Sequence, residues 1–443
     1  MHKTVDEALK QFSGDWVDSH RKFLSGVDHL LEIKDVDVSQ TRKKEVWRED
    51  KVRVFHYETA EPRTCPVPVL ISYALVNRYY MMDLQENRSL IQNLLAGGLD
   101  IYIIDWGYPG KMDLHLTLED YLDGYLDGAV DFVRRSTGHD RINLLGVCQG
   151  GTFSLIYTAT HPEKIRNLVT MVTPVDFFTD EGLLNIWARD MDIDLLVDTY
   201  GVVPGWFMNL GFLMLKPFQL TVDKYVSLLD IMDDRDALEN FVRMEKWIFD
   251  SPGQAGEAYR KFLKDMYQGN KLAKGELTLG GRKVLLGDIR CPVLNIFGTK
   301  DHLVPPSSSR PLAELIGSED VETFELPIGH IGMYVSGKSQ KEIAPRIVSW
   351  LGARSGAAPE QPPRPEQPGQ PTRPGQRAQP GQPSRPAQTA SNQGTARVGT
   401  RGGAKGMAKV APGRPGAAKA PRKGGEDAFE KRSPSGSSSP KKT

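Results

Sequence analysis

The chain has little cysteine, and the little it has is scattered: Cys65, Cys148 and Cys291 in 443 residues. The count is odd, the spacings are wide and no C-x-x-C pair occurs, which argues against a disulfide framework and against a zinc site. No stretch approaches about 18 apolar residues without charge, so no membrane span is predicted. The opening MHKTVDEALKQF has no apolar core of signal-peptide length. The expected compartment is therefore a reducing cytoplasm. Net charge is also missing, with 56 Lys and Arg against 56 Asp and Glu, but the balance conceals a split. Residues 355–443 hold 16 basic and five acidic side chains, leaving 40 basic and 51 acidic in the rest. The two parts need separate readings.

Residues 355–443 also lack aromatics, with Phe429 alone, while carrying 15 of the chain's 30 prolines and much Gly, Gln and Ala. Such a composition buries too little apolar surface to offset its chain entropy, and disorder is predicted. Two roles are open for this tail. It is a solvated linker, or its excess of positive charge contacts a polyanion such as DNA, or an acidic partner, by counterion release. With almost no aromatics, base stacking is not expected.

Before the tail the pattern is that of a packed domain. In residues 1–35, Val5, Leu9, Phe12, Trp16, Phe23, Val27, Leu30 and Leu31 fall near helical spacing, which predicts a helical segment that covers the core or faces a partner. KVRVFHYE alternates with period two. VPVLISYAL and LDIYIIDWGYPG read as strands buried on both faces. RSLIQNLLAGG and LEDYLDGYLDGAVDFVRRST read as helices, INLLGV and NLVTMVTPVDF again as strands. Strands alternating with helices predict a mostly parallel sheet covered on both sides. Between about 178 and 287 the rhythm changes to FMNLGFLMLKPFQL and MEKWIFDSP, an inserted, largely helical cap. The sheet pattern returns in CPVLNIFGTKDHLVPP and VETFELPIGHIGMYVS, and QKEIAPRIVSWLGAR closes the domain. The fold class is α/β, with residues 1–354 as one catalytic domain.

Gly146-Val147-Cys148-Gln149-Gly150 stands between a strand and a helix with the spacing of the G-x-S-x-G nucleophile elbow, cysteine replacing serine. That chemistry needs a nucleophile on a strained turn, glycines where backbones pack close, and a helix N-terminus that favours thiolate. A small apolar residue starting a core helix is the alternative for Cys148. The fold supplies an acid and then a histidine from later loops. Asp301 follows one late strand and His330 the next, so Cys148, Asp301 and His330 form the expected triad. The backbone amides of Gln149 and Val76, the latter in the loop ISYALVNRYYMMDL, are the expected oxyanion donors. His302 is the rival base, but it sits in the acid loop. His139 and His161 read as solvated, Cys65 and Cys291 as inert strand-edge thiols, and Asp105 as a structural turn residue.

The stretches GVCQGG, YALVNRYYMMDLQENRS, IDWGYPG, MVTPVDF, RMEKWIFDSP, CPVLNIFGTKDHLVPP and GHIGMYVSGKSQKE resemble the catalytic subunit of polyhydroxyalkanoate synthases, the short two-subunit kind called class III. The likeness covers roughly residues 1–354; the tail departs from it. The resemblance implies an α/β-hydrolase core with a mobile cap. It implies polymerisation of (R)-3-hydroxyacyl-coenzyme A, with 3-hydroxybutyryl-CoA the expected monomer. Coenzyme A is then part of the substrate and is released, and no other cofactor or metal is expected. A second, non-catalytic subunit and dimerisation at the surface of a polymer granule are implied as well. The family's triad falls on Cys148, Asp301 and His330. The elbow alone also permits a thioesterase or polyester depolymerase, and a synthase-like scaffold bringing granules to DNA through the tail is a third reading.

Overall fold

A computed structural model of the protein describes residue 33 and residues 36–356. The expectations for a helical segment in 1–35 and for a disordered tail therefore fall outside the described residues, apart from residue 33 and residues 355 and 356, of which Ser355 belongs to the last helix and not to a disordered tail.

Eight strands make one sheet in the order β1-β2-β4-β3-β5-β6-β7-β8. They are β1 Lys43–Glu49, β2 Val52–Tyr57, β3 Val69–Ser72, β4 Ile101–Asp105, β5 Ile142–Val147, β6 Ile165–Met171, β7 Val293–Gly298 and β8 Val321–Leu326. The first two join the sheet antiparallel, and every pairing from β4 through β3 to β8 is parallel. The central strands β3, β4 and β5 are buried at every position, which explains their unbroken apolar runs. β2 alternates over Val52–Phe55 as its sequence predicted, with Val52 and Val54 in one apolar layer, while Phe55 and Tyr57 on its other face meet the second layer. β1 is an addition to the sequence reading: KKEVWRE is an edge strand whose charges mask its period.

Helices α1 Leu90–Ala96, α2 Asp127–Thr137 and α3 Gln149–Thr160 flank the sheet, and α3 is buried along nearly its whole length. Two apolar layers result, one on each face. Leu70, Ile104, Leu144, Phe153 and Ile156 belong to one, and Ile71, Ile103, Leu145, Leu294 and Ile347 to the other. The chain from 178 to 287 is mostly helical: α4 Leu183–Asp190, α5 Ile193–Tyr200, α6 Gly205–Met214, α7 Arg235–Phe249 and α8 Gly256–Phe262. It also holds two small antiparallel pairings, Val202–Val203 with Gln254–Ala255 and Thr278–Leu279 with Arg282–Lys283, too short to show alternation in the sequence.

The last helix, α9 Gly337–Ser355, packs on the sheet and carries Pro345 inside it. Its end is tied to the start of the fold. The thiol of Cys65 lies 3.2 Å from Ser355 Oγ, and Asn143 Nδ2 donates to the same hydroxyl at 3.3 Å. Among the described residues no helix is long and apolar enough to cross a membrane.

Candidate active site

β5 ends at Val147 and α3 begins at Gln149, so the direction of the chain reverses at one residue. Cys148 takes that turn with φ 55° and ψ −124°, a left-handed conformation that costs a non-glycine residue free energy and persists only where surroundings impose it. The surroundings are glycine. A Cβ on Gly146 would lie 2.5 Å from Gly151 Cα, and one on Gly151 would lie 1.8 Å from Thr173 Oγ1. On Gly150 it would meet the carbonyl oxygens of Ser72 at 2.2 Å and Tyr73 at 2.5 Å. Those last atoms are backbone at the end of β3 and cannot swing aside. Gly150→Ala is therefore expected to cost about 1–3 kcal/mol of stability, read from the denaturant midpoint. It is also expected to lower turnover about 100-fold through displacement of the elbow. An alanine variant with wild-type midpoint and turnover would show that the close approach is dispensable.

Asp301 and His330 come from the loops after β7 and β8, which are locked together. Lys300 donates its amide to Ile328 O at 3.2 Å, and a Cβ on Gly298 would strike that same oxygen at 2.3 Å. Asp301 Oδ1 accepts from the amides of Leu303 and Val304, both at 2.9 Å. Its other oxygen, Oδ2, lies 2.7 Å from His330 Nδ1. The carboxylate is thus held on one side by backbone and aims its free side at the imidazole. Both residues are buried. Burial alone would lower the imidazole's proton affinity. The charges of Asp301 and Cys148, together with the hydrogen bond to Asp301, outweigh that and hold His330 well above the ordinary histidine range. The structure thus brings Cys148, Asp301 and His330 into one constellation, in which the imidazole favours its protonated form.

Gln149 opens α3, where the first amides of a helix have no partner within it. Its side chain adds something the sequence did not foretell: Oε1 accepts the amide of Leu75 at 3.1 Å. The loop that carries Val76 is in this way strapped to the residue after Cys148. Val76 is half-buried and packs against both apolar layers.

Three tyrosines that sequence reasoning passed over surround the thiol. Tyr334 OH lies 3.4 Å from His330 Nε2, and its ring packs on Tyr73 at 6.2 Å. Tyr73, Tyr267 and Tyr334 are pushed far above the ordinary tyrosine range, by burial first and with the charge of Cys148 contributing to each. They stay protonated and remain hydrogen-bond donors. Tyr334 had a signal, since it stands four residues after His330 in a helical segment and so shares its face. Tyr267, in the cap insertion, had none.

The remaining candidates sort out by their contacts. His302 stays in the acid loop, and burial, then the charge of Lys216, lowers its proton affinity while Asp301 opposes this. His139 and His161 are not the solvated histidines expected. Both are half-buried, His139 Nδ1 faces Thr137 O at 3.1 Å, and His161 stacks on Tyr157 at 4.5 Å. Each packs back on its own helix end, which the sequence does not reveal. Cys65 is buried, and burial pushes the Cys291 thiol up to about 12. Asp105 is structural, paired with Arg53 and, at 3.0 Å, with Arg78.

Comparison with known proteins agrees with this architecture. Residues 67–334 match the family model described as "alpha/beta hydrolase fold", and residues 18–94 match "Poly-beta-hydroxybutyrate polymerase (PhaC) N-terminus". The chain is 53% identical over 352 residues to "Poly(3-hydroxyalkanoate) polymerase subunit PhaC" of Allochromatium vinosum, covering 79% of this chain and 99% of that one. The protein of that name from Thiocystis violacea is 49% identical, with 80% and 100% covered. The one from Synechocystis sp. is 52% identical, with 78% and 94% covered.

Proposed function

Because the chain belongs to the poly(3-hydroxyalkanoate) polymerases, acyltransferases that make polyhydroxyalkanoate, we propose that it polymerises (R)-3-hydroxyacyl-CoA, 3-hydroxybutyryl-CoA first among them, through a thioester on Cys148. The observation that carries this is the turn at Cys148 facing a buried His330–Asp301 pair.

Before the first step the proton of Cys148 has passed to His330, whose raised proton affinity holds it there, and the thiolate sulfur then attacks the acyl carbonyl. The bond from sulfur to acyl carbon forms, the bond from acyl carbon to the coenzyme A sulfur breaks, and coenzyme A leaves with the proton from His330. The amides of Gln149 and Val76 take the negative charge that develops on the carbonyl oxygen. In the second step His330 removes the proton of a 3-hydroxyl group, whose oxygen attacks the next acyl thioester: the ester carbon–oxygen bond forms, the bond from acyl carbon to thioester sulfur breaks, and the departing thiol takes the proton from His330. Asp301 steadies the imidazolium in both steps. Its bonds to two backbone amides favour an orienting role over direct attack on the hydroxyl proton. A thiol suits this cycle because exchange between thioesters is nearly balanced in free energy. The acyl group therefore stays reactive toward the next hydroxyl.

The same reading includes a second, non-catalytic subunit, a homodimer or hetero-oligomer at the surface of the polymer granule in the cytoplasm, and no cofactor beyond the coenzyme A carried by the substrate. The basic tail would contact a polyanion such as DNA, or serve as a linker. Product analysis on the purified protein with (R)-3-hydroxybutyryl-CoA, with and without the partner subunit, tests the core of the proposal. Free coenzyme A together with polyester is the expected result. Free coenzyme A with soluble monomer acid, even when the partner is present, would make water the acceptor and the protein a thioesterase.

A further inference from the structure

The last turn of α7 leaves backbone carbonyls without partners inside the helix, as every helix does. Two of them accept a bond from outside the cap, Ile248 O beside one from Asn209 Nδ2 within the cap at 2.7 Å. Asn77 Nδ2 donates to Trp247 O at 3.3 Å and to Ile248 O at 3.2 Å. Both acceptors are carbonyls, so the amide nitrogen of Asn77 must face the helix end. The next residue closes the contact in the other direction: Trp247 Nε1 donates to Arg78 O at 2.8 Å. One turn on, Asp250 accepts the hydroxyls of Tyr80 at 2.8 Å and Tyr108 at 2.5 Å. Asn77 itself sits at φ 58°, the left-handed region that asparagine tolerates better than most residues.

Set beside the strap from Gln149 to Leu75, this leaves Val76 between two anchors. On its N-terminal side the chain is fixed to the helix that follows Cys148. On its C-terminal side it is fixed to the end of a cap helix. The peptide between them can be aimed only when both anchors hold.

We propose that Asn77 is a positioning residue that couples the cap to the oxyanion site: docking of the end of α7 on Asn77 aims the Val76 amide, and displacement of the cap releases it. The inference rests on the reading of Val76 as an oxyanion donor. Its consequence is that full transition-state stabilisation is assembled only while the cap is seated, so a displaced cap leaves a thiol that reacts but a carbonyl that is not polarised.

The test uses Asn77→Gly in the full-length chain. Glycine keeps the left-handed backbone and removes only the side-chain contact. Two rates are read, steady-state coenzyme A release and alkylation of Cys148 by iodoacetamide, which needs no oxyanion site. The expected result is a fall in kcat of about 10- to 100-fold with KM changed less than about threefold and alkylation within about twofold of wild type. Asn77→Asp, of the same shape but without the donor, should behave alike and covers the case in which the glycine variant folds poorly. Asp250→Asn loosens the same helix end, and the double variant Asn77→Gly/Asp250→Asn should be no slower than the slower single variant. Wild-type kcat in Asn77→Gly, a parallel fall in alkylation, or fold-losses that multiply in the double variant would each overturn the coupling. Failure of the proposed thioester mechanism itself has a different signature: coenzyme A release that survives Cys148→Ala.

Discussion

Cys148→Ala should release no coenzyme A from (R)-3-hydroxybutyryl-CoA, a loss of at least about 10⁴-fold in turnover, and should form no polymer. The effect is local. Alanine keeps the Cβ that already occupies the left-handed turn, so the elbow, the helix behind it and the two late loops stay where they are. What disappears is the one atom that can carry the acyl group. An unchanged thermal midpoint with activity gone would separate chemistry from folding. Polymer synthesis by the alanine variant would remove Cys148 from the mechanism altogether. Cys148→Ser is the instructive companion. Its oxygen can be acylated in principle, but the ester it forms is a poorer donor to the next hydroxyl, so chain growth should fail even if a slow burst of coenzyme A appears.

Asp301→Asn is the second large effect. In the wild type the carboxylate keeps a proton on a buried imidazole whose burial opposes it. An amide has the same size but no charge, so His330 should fall back toward or below the ordinary value of 6.5. Turnover at neutral pH should drop by about 10²- to 10⁴-fold. The sign of the stability effect is fixed by the raised native value. The charged pair contributes in full below pH 6.5 and its contribution is lost as pH rises through the native value. The difference in thermal midpoint between wild type and Asp301→Asn should therefore be greatest in mildly acidic to neutral solution and shrink toward alkaline pH. A gap that widens with pH would show that His330 is not charged in the native protein.

The order of elements and the pattern of the central sheet were legible in the sequence, because strands buried on both faces cannot contain charge and so announce themselves. The edge strand β1 was not, since its residues face water and need no apolar period. At the site, the residues that the fold gathers around the elbow were readable from motif and chain order, as elbow spacing ties Cys148 to a turn and the late strands order Asp301 before His330. The residues that aim them were not. Gln149 reaching Leu75, Asn77 reaching the end of α7, and Tyr334 reaching His330 are contacts between side chains and partners set by tertiary packing. No local pattern encodes such a partner, and an asparagine in a loop reads as an ordinary turn residue. His139 and His161 misled for the same reason, since polar flanks hide a ring that folds back on its own helix.

The tie among Cys65, Asn143 and Ser355 has a bearing on synthesis of the chain. It joins positions 290 residues apart, so the first strands of the central sheet wait for the last helix before their ends are secured. A further 88 residues, 356–443, follow that helix. At about 5–20 residues per second a ribosome needs roughly 4–18 s to add them. The knot can therefore close while the nascent chain is still attached, and the domain has time to complete itself before the protein is set free among other copies carrying the same unfinished sheet.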